Sequence, residues 1–312
     1  MTAETGEKAQ VVAALSAIPG FEATRAGDFA LERQGGLTNQ VYKIDFGDRR
    51  YILRIPGKGT EDYIDRAVEL HNARVAAEAG VSAEVIYGDA ESGIMLSRFI
   101  DGIATMSPER FRERQGAPAR AAAALKQMHG CGQEFRFRFE LFAMIDDYLA
   151  ILDKQKAELP AGYHQVVEAA QPVRAALDTN PMPLAPCHCD PLCENFLDDG
   201  KRMWIVDWEY SGMNDPIWDL GDLSVEAGFD AAQDREMMEA YCAGAPSAAL
   251  MGRMVIYKAM CDLLWTLWGL IQHANGNPAD DFWAYAIGRF ERCQKLMNAP
   301  AFAGHVDAVR VG

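Results

Sequence analysis

The order of strand and helix patterns along the chain most constrains its fold. The first hundred residues carry short apolar segments with strand character, whereas helical patterns dominate the remainder. Strands are predicted at residues 29–33, 41–46, 50–55 and 94–97. Helices are predicted at residues 8–18, from about Thr60, and at 118–129, 139–157, 163–178, 231–243, 247–274 and 279–298. We therefore predict an α+β fold with two lobes: an N-terminal antiparallel sheet with helices over residues 1–100, and a larger, mainly helical lobe over 101–312.

Charge and termini narrow the class of protein. The 312 residues include 45 acids and 30 bases, a net charge of −15, so the chain lacks the basic surface that nucleic-acid binding requires. This sign suits a cationic small molecule, although acidic balance often serves solubility alone. The N-terminus shows no signal-peptide pattern, and no uninterrupted apolar run approaches membrane-spanning length. We predict a cytoplasmic protein with neither a nucleic-acid nor a membrane partner, and the oligomeric state stays open.

The cysteines indicate neither disulfides nor zinc. Seven cysteines, an odd number, argue against a disulfide framework. The cluster Cys187, His188, Cys189 and Cys193 lacks the paired spacing of a structural zinc site. We interpret these cysteines as small buried neighbours of a functional loop. A cysteine nucleophile is the open alternative, but no sequence feature identifies its histidine and acid partners.

The segment from His188 to Glu209 carries the strongest chemical pattern. A loop with Asp190 and Asn195 leads into a predicted hairpin, with strands at 196–197 and 203–208 and a turn at 198–201. The hairpin should bring Asn195 and Asp207 close together. Phosphoryl transfer needs a base for the attacking hydroxyl and oxygen ligands for magnesium, and these three side chains fit those roles. A solvated turn that carries acids by chance is the alternative, and the joint pattern disfavours it.

The N-terminal lobe offers a weaker second pattern. A glycine-bearing turn over residues 34–39 lets backbone amides approach phosphates, or is simply a hairpin turn. Arg54 lies in an apolar strand, and Glu69 on the following helix is available to pair with it across a cleft. The alternative for Glu69 is an ordinary exposed helix acid.

These motifs resemble the choline and ethanolamine kinase family, within the wider aminoglycoside phosphotransferase group, whose fold is similar to that of protein kinases. Bacterial members look closest, and the resemblance covers roughly residues 25–295. The motifs that carry it are Gly35–Asn39, Leu53–Gly57, Ile64–Arg66 with Glu69, His188–Asn195, Val206–Gly212 and Asn214–Leu220. The resemblance implies a protein-kinase-like two-lobed fold, ATP and Mg²⁺ as cofactors, and a small amino alcohol as acceptor.

The resemblance also implies roles for individual residues. Asp190 would be the catalytic base, Asn195 and Asp207 would hold magnesium, and Glu209 would support a second metal or its waters. Glu69 would orient Arg54, and Asp219 would brace the catalytic loop. The implied nucleotide contacts are Gly35, Gly36, Leu37, Thr38, Asn39 and Arg54 for the phosphates, with backbone groups of Ser97 and Phe99 for the adenine ring.

One position departs from the family. Related kinases usually carry glycine where this chain has Cys189. Glycine permits backbone conformations that cysteine adopts only at a cost, so the geometry of this loop is a question for the structure. Asp190 stays in register, which preserves the implied chemistry.

A second group of residues concerns the acceptor. Trp265 and Trp268 are three positions apart, so a helix places both indoles on one face. Paired indoles bind a quaternary ammonium by cation–π attraction of about 2 kcal/mol or more each when desolvated. Helix periodicity alone favours core tryptophans, because leucines surround them. The family uses such a pair with a tyrosine and a glutamate, and Tyr210 and Glu226 occupy matching positions.

We therefore predict an ATP-dependent kinase of choline or a similar small amino alcohol. The alternatives are ethanolamine, thiamine or an aminoglycoside as acceptor, or a catalytically silent ligand-binding member of the fold. The segment 227–231 is poorer in aromatic residues than that of animal choline kinases, and Phe229 is the aromatic side chain that could partly replace them.

Overall fold

The computed structural model describes residues 3–35, 39–57 and 64–312. After the N-terminal helix α1 (Ala3–Ser16), five strands form one antiparallel sheet in the order β1-β2-β3-β5-β4. The strands are β1 (Ala30–Arg33), β2 (Asn39–Phe46), β3 (Arg49–Pro56), β4 (Val85–Gly88) and β5 (Met95–Arg98). The predicted strands are confirmed, and β4 is one that the sequence analysis missed. Arg54 lies opposite Val41 on one side and Met95 on the other, so it belongs to the middle strand.

Helix α2 (Arg66–Glu78) begins six positions after the predicted start near Thr60, a residue outside the described ranges. Asp65 caps the helix, because its side chain accepts the backbone N–H groups of Ala67 (2.9 Å) and Val68 (3.1 Å). The cap places Glu69 in the first turn, facing β3.

The larger lobe contains most of the helices. They are α3 (Pro108–Glu113), α4 (Ala117–His129), α5 (Leu141–Gln155), α6 (Tyr163–Ala169), α7 (Gln171–Thr179), α8 (Ile217–Ala227), α9 (Ala231–Cys242), α10 (Ala248–Ala274), α11 (Phe282–Met297) and α12 (Phe302–Val311). The single helix predicted over 163–178 is wrong: it divides at Ala170, because Pro172 in the first turn of α7 has no N–H to continue the α6 ladder. Helices α3, α8 and α12 were not predicted.

Helix α10 is the centre of the larger core and packs against α5, α8, α11 and α12. Its length and composition alone would allow it to cross a membrane, contrary to the sequence expectation that no segment would. However, 78% of its most apolar window is buried inside the protein, as in the core helix of a globular fold. Residues Ala73 and Ala76 of α2 pack into the same core, which anchors this helix of the smaller lobe on the larger one.

Two small sheets shape the region between the lobes. Strand β7 (Ala185–Cys187) pairs with β10 (Gly212–Asn214), and β6 (Ala104–Thr105) pairs with the hairpin of β8 (Phe196–Asp198) and β9 (Met203–Ile205). The predicted hairpin is confirmed. Its second strand ends at Ile205 rather than at Trp208, since Asp207 has a left-handed backbone (φ 68°) that leaves the ladder.

Candidate active site

The loop that carries Asp190 follows β7, and one buried acid of α8 holds its backbone. Asp219 accepts the backbone N–H groups of His188 (2.7 Å) and Cys189 (2.8 Å). The same carboxylate contacts Nε2 of His129 at 2.9 Å. Asp219 therefore braces the catalytic loop, as the family resemblance implied.

Cys189 adopts the conformation that glycine would favour. Its φ is 67°, in the left-handed region, which costs a residue with a Cβ about 1–2 kcal/mol. The backbone N–H of Cys189 donates to Asp219, and its carbonyl accepts the indole N–H of Trp218 at 3.0 Å. Hydrogen bonds therefore hold the backbone on both sides of this residue. The side chain is fully buried. Cys189 thus takes the left-handed backbone that glycine favours, and Asp190 follows it directly.

Asp190 has the ionisation expected of a base. Burial and the nearby charge of Glu226 raise the pKa of Asp190 to about 7, whereas Arg289 lowers it. A carboxylate with a pKa near 7 can accept a proton at neutral pH and release it again. The amide group of Asn195 donates to the backbone carbonyl of Asp190 at 3.1 Å, which ties the two predicted site residues together.

Acidic oxygens lie beyond the hairpin. The backbone N–H of Val206 donates to the carbonyl of Asn195 (3.0 Å), so Asn195 and Asp207 are near neighbours. Carboxylate oxygens of Glu69, Asp207 and Glu209 lie within 4.8 Å of one another. Desolvation and the charge of Glu209 raise the pKa of Asp207. A bound cation would relieve the repulsion between the two carboxylates. An all-oxygen donor set fits Mg²⁺.

Arg54 connects the smaller lobe to these acids. It forms the predicted ion pair with Glu69, and its NH1 atom lies 3.8 Å from oxygens of both Asp207 and Glu209. Its Nε and NH2 atoms are buried, and no group in the described ranges accepts their hydrogen bonds. Buried donors without an acceptor are costly, and a phosphate oxygen is an acceptor that would satisfy them.

Arg66 is a site residue that the sequence analysis left without a role. Its NH1 atom bonds Glu69 at 2.8 Å and Glu209 at 2.6 Å, so it links α2 to the acidic segment after β9. Asn39 adds a second link, because its amide donates to Glu209 at 2.8 Å. The spacing of Arg66 and Glu69 on one helix could have indicated the first contact. The contact with Glu209 spans 143 positions, and no local pattern predicts it.

Only some of the other residues predicted to bind the nucleotide lie within the described ranges. Gly36, Leu37 and Thr38 lie outside the described residues. Gly35 is exposed, with open space where a Cβ would stand. The phosphate contacts of this turn stay a prediction.

Ser97 and Phe99 are largely engaged by the sheet. Ser97 pairs with Ile52 of β3, and the backbone N–H of Phe99 donates to the carbonyl of Arg50 at 3.1 Å. The ring of Phe99 lies near Lys43 Nζ (5.0 Å) and the Arg50 guanidinium (5.7 Å). An adenine contact of these two residues stays a prediction, and the Phe99 N–H would have to leave the sheet to make it.

Three of the predicted acceptor residues form one aromatic group. The rings of Tyr210 and Trp265 meet edge to face, with centroids 5.2 Å apart at 76°. The indole N–H of Trp268 donates to the hydroxyl of Tyr210 at 2.9 Å. Trp265 is buried and Trp268 is partly exposed, so the pair is neither simply core nor simply surface.

Helix α11 completes this aromatic group, which the sequence analysis missed. Phe282 and Tyr285 pack on Trp268 with ring centroids at 5.5 and 5.7 Å. Their spacing of three positions on a predicted helix was the available signal. Phe229 does not belong to the group, because its ring packs edge to face against Phe111 in the core (5.4 Å).

Glu226, a predicted acceptor residue, forms ion pairs with two arginines. Its carboxylate lies 2.6 Å from NH2 of Arg289 and 3.8 Å from NH2 of Arg292, both on α11. Arg289 also lies over the ring of Tyr285 at 4.6 Å. Glu226 is thus near Asp190 and the aromatic group, with much of its charge compensated by arginine.

The seven cysteines are all free, as predicted from their odd number. Cys187, Cys189 and Cys193 are buried around the catalytic loop. Burial raises the pKa of each thiol, which disfavours a thiolate nucleophile there.

The chain matches known phosphotransferases over most of its length. The model of the phosphotransferase enzyme family (APH) matches residues 30–251. A choline/ethanolamine kinase family protein from Mesorhizobium loti has 60% identity and a TM-score of 0.89, covering 97% of this chain and 99% of that one. The choline kinase LicA from Streptococcus pneumoniae has 26% identity and a TM-score of 0.76, covering 94% and 99%. Protein LicA of Haemophilus influenzae is 28% identical over 270 residues, 85% of this chain and 78% of that protein.

These similarities confirm the predicted α+β kinase-like fold. The chain belongs to the phosphotransferase enzyme family and, within it, to the choline/ethanolamine kinases, enzymes that transfer a phosphoryl group to an alcohol.

Proposed function

We propose that the protein phosphorylates the hydroxyl group of choline with ATP and Mg²⁺, giving phosphocholine. The observation that carries this proposal is the aromatic group of Tyr210, Trp265 and Trp268, of which Tyr210 directly follows Glu209 in the chain. Aromatic faces bind a quaternary ammonium, which offers no N–H group for hydrogen bonding. The relatives include choline kinases, which agrees with this acceptor.

The pairing of Glu226 favours choline over ethanolamine. A primary ammonium donates three hydrogen bonds and needs acceptors for them when it is buried. The charge of Glu226, the predicted carboxylate partner, is already compensated by Arg289, whose NH2 atom lies 2.6 Å from its Oε1. Choline needs no hydrogen-bond acceptor at its ammonium group, and aromatic faces attract that cation by cation–π interaction. Ethanolamine is the second candidate, because a relative with 60% identity belongs to a family that acts on either alcohol.

The mechanism follows from the positions of the polar side chains. Asp190 accepts a hydrogen bond from the acceptor hydroxyl and takes its proton as the hydroxyl oxygen attacks the γ-phosphorus in line. The bond between the γ-phosphorus and the oxygen that bridges the β- and γ-phosphates then breaks, and ADP leaves. Asn195, Asp207 and Glu209 would hold magnesium, which neutralises phosphate charge. Arg54 binds phosphate oxygens through its buried donors, and Glu69 with Arg66 keeps it in place. No covalent phosphoenzyme is required.

In this proposal the smaller lobe, residues 1–100, holds the nucleotide, and residues 101–312 supply the base and the acceptor site. The enzyme acts on a small diffusible alcohol in the cytoplasm. Its net charge of −15 favours a cationic acceptor over nucleic acid.

The test is a steady-state comparison of choline, ethanolamine, thiamine and an aminoglycoside in one ATP-coupled assay. We expect the highest kcat/KM for choline, loss of turnover on chelation of divalent metal, and recovery with Mg²⁺. Choline turnover at background level would refute the acceptor. If Asp190→Ala leaves turnover of every responsive acceptor unchanged, the assignment of the base is wrong.

A further inference from the structure

Asp222 is a buried carboxylate that forms no ion pair in the described part of the chain. It lies on α8 and is 1% exposed. One of its oxygens accepts the thiol of Cys261 at 2.9 Å, and the other accepts the indole N–H of Trp265 at 3.4 Å. Within the ranges that the structure describes, no arginine or lysine nitrogen comes within 4.0 Å of it.

Several other buried acids form ion pairs with arginine. Asp198 pairs with Arg114 and Arg120, Asp215 with Arg253, and Asp262 with Arg289 and Arg292. A buried charge that lacks such a partner destabilises a fold unless something else supplies the opposite charge. Asp222 therefore stands out as a carboxylate whose counterion is missing from its surroundings.

Trp265 connects this carboxylate to the aromatic group. Its indole N–H points to Asp222, while its ring meets Tyr210 at 5.2 Å. A hydrogen bond to a carboxylate polarises the donor, so the indole ring becomes more electron-rich and attracts a cation more strongly. The negative charge also acts directly on a cation at the ring, because the intervening medium has a low dielectric constant.

We propose that Asp222 determines specificity for a cationic acceptor: its buried carboxylate, bonded to the indole of Trp265, is the countercharge of the acceptor's ammonium group. The ammonium completes the ion pair that the fold leaves open. This inference rests on the proposed function, since it concerns the acceptor site of that reaction. It adds a residue that does not touch the reacting atoms and acts through Trp265.

The charges facing Asp222 favour its neutral form until a cation binds nearby. Burial, Glu226 on the same helix and Asp190 of the catalytic loop raise the pKa of Asp222. Cys261 of α10 and Arg289 of α11 lower it without balancing those effects. A cation bound at Trp265 would favour the ionised carboxylate, so the acid and the acceptor stabilise each other.

The first test compares choline with its uncharged carbon isostere, 3,3-dimethyl-1-butanol, in the wild type and in Asp222→Asn. Asparagine has the same shape and can still accept the indole N–H; it removes the charge and also replaces the oxygen that accepts the Cys261 thiol by an NH2 group. We expect kcat/KM for choline to fall at least about tenfold relative to the isostere, which corresponds to about 1.4 kcal/mol. The kcat/KM for the isostere should stay within about twofold, because a neutral acceptor does not need the countercharge.

Cys261→Ala is the matched control, because it removes the other hydrogen bond to Asp222 without changing its charge. It should leave the choline-to-isostere ratio unchanged. If Asp222→Asn and Cys261→Ala lower activity on both acceptors equally, Asp222 is merely structural and the proposal is refuted.

Thermal unfolding supplies a second measurement that a structural role would not reproduce. Without ligand, Asp222→Asn should unfold at the wild-type Tm or above it, because an uncompensated buried charge is lost. The rise in Tm that choline produces in the wild type should shrink in the variant. A lower Tm with an unchanged choline response would overturn the proposal. Failure of the proposed function is distinguishable: the wild type itself would then show no preference for choline over the isostere.

Discussion

The bracing of the catalytic loop by Asp219 leads to a quantitative prediction for Asp219→Asn. The buried carboxylate accepts backbone N–H groups from His188 and Cys189 and a contact from His129. Asparagine keeps one oxygen and replaces the other by an NH2 group. In either orientation that NH2 group faces one of the two backbone N–H groups, and the corresponding hydrogen bond is lost.

The magnitude follows from these bonds. An orphaned buried N–H costs about 1–3 kcal/mol, and each remaining bond loses roughly 1 kcal/mol when its acceptor is no longer charged. We expect the free energy of unfolding to fall by about 2–5 kcal/mol. The left-handed backbone of Cys189 would lose its restraint, and a displacement of Asp190 by about 1 Å would lower kcat on the order of 10²-fold.

The assay is urea unfolding followed by tryptophan fluorescence, together with steady-state kinetics on the preferred acceptor. Asp199→Asn is the matched control, because Asp199 also accepts two backbone N–H groups, from Lys201 (2.7 Å) and Arg202 (2.8 Å), but on an exposed turn. Both bonds go to one oxygen, Oδ1, which asparagine keeps, so its cost should stay within about 1 kcal/mol. If Asp219→Asn is no more destabilised than Asp199→Asn, the bracing argument is wrong.

Three further predictions concern ionisation, the aromatic group and the contact between the lobes. Burial raises the pKa of Asp190 to about 7, and the base acts in its deprotonated form. The value of kcat/KM should therefore rise about tenfold per pH unit below pH 7 and level off above it. A flat pH profile would contradict this prediction. Tyr210→Phe removes the hydroxyl that accepts the Trp268 indole N–H, so the KM for choline should rise about threefold to tenfold with little change in kcat, and an unchanged KM would count against the aromatic site. Arg66→Gln removes the cation that bonds both Glu69 and Glu209 and leaves Arg54 beside them, so stability should fall by about 3 kcal/mol and the KM for ATP should rise more than that for choline; equal effects on both KM values would argue against a role in nucleotide binding.

Local sequence patterns predicted several features of the site. The hairpin from residue 196 to 205 and the (i, i+3) spacing of Trp265 and Trp268 are properties of neighbouring residues, so backbone hydrogen bonding and helix periodicity predict them. The same local rules missed the end of β9 at Ile205, because the left-handed backbone of Asp207 depends on its surroundings. They also missed the division at Ala170, although Pro172 was a visible signal.

The sequence alone predicted the α+β organisation and the spacing of the two indoles, because each depends on short-range patterns, and the phosphoryl-transfer residues stay a prediction from their spacing and the family resemblance. Tertiary packing decided how their charges are balanced. Arg66 reaches Glu209 across 143 positions, Arg289 joins Glu226, and Asp222 meets Trp265 across 43 positions with no arginine or lysine beside it in the described ranges. Such pairings depend on how the helices and lobes pack against each other. The burial of each charged group then sets its electrostatic energy, and a sequence pattern alone does not predict that burial.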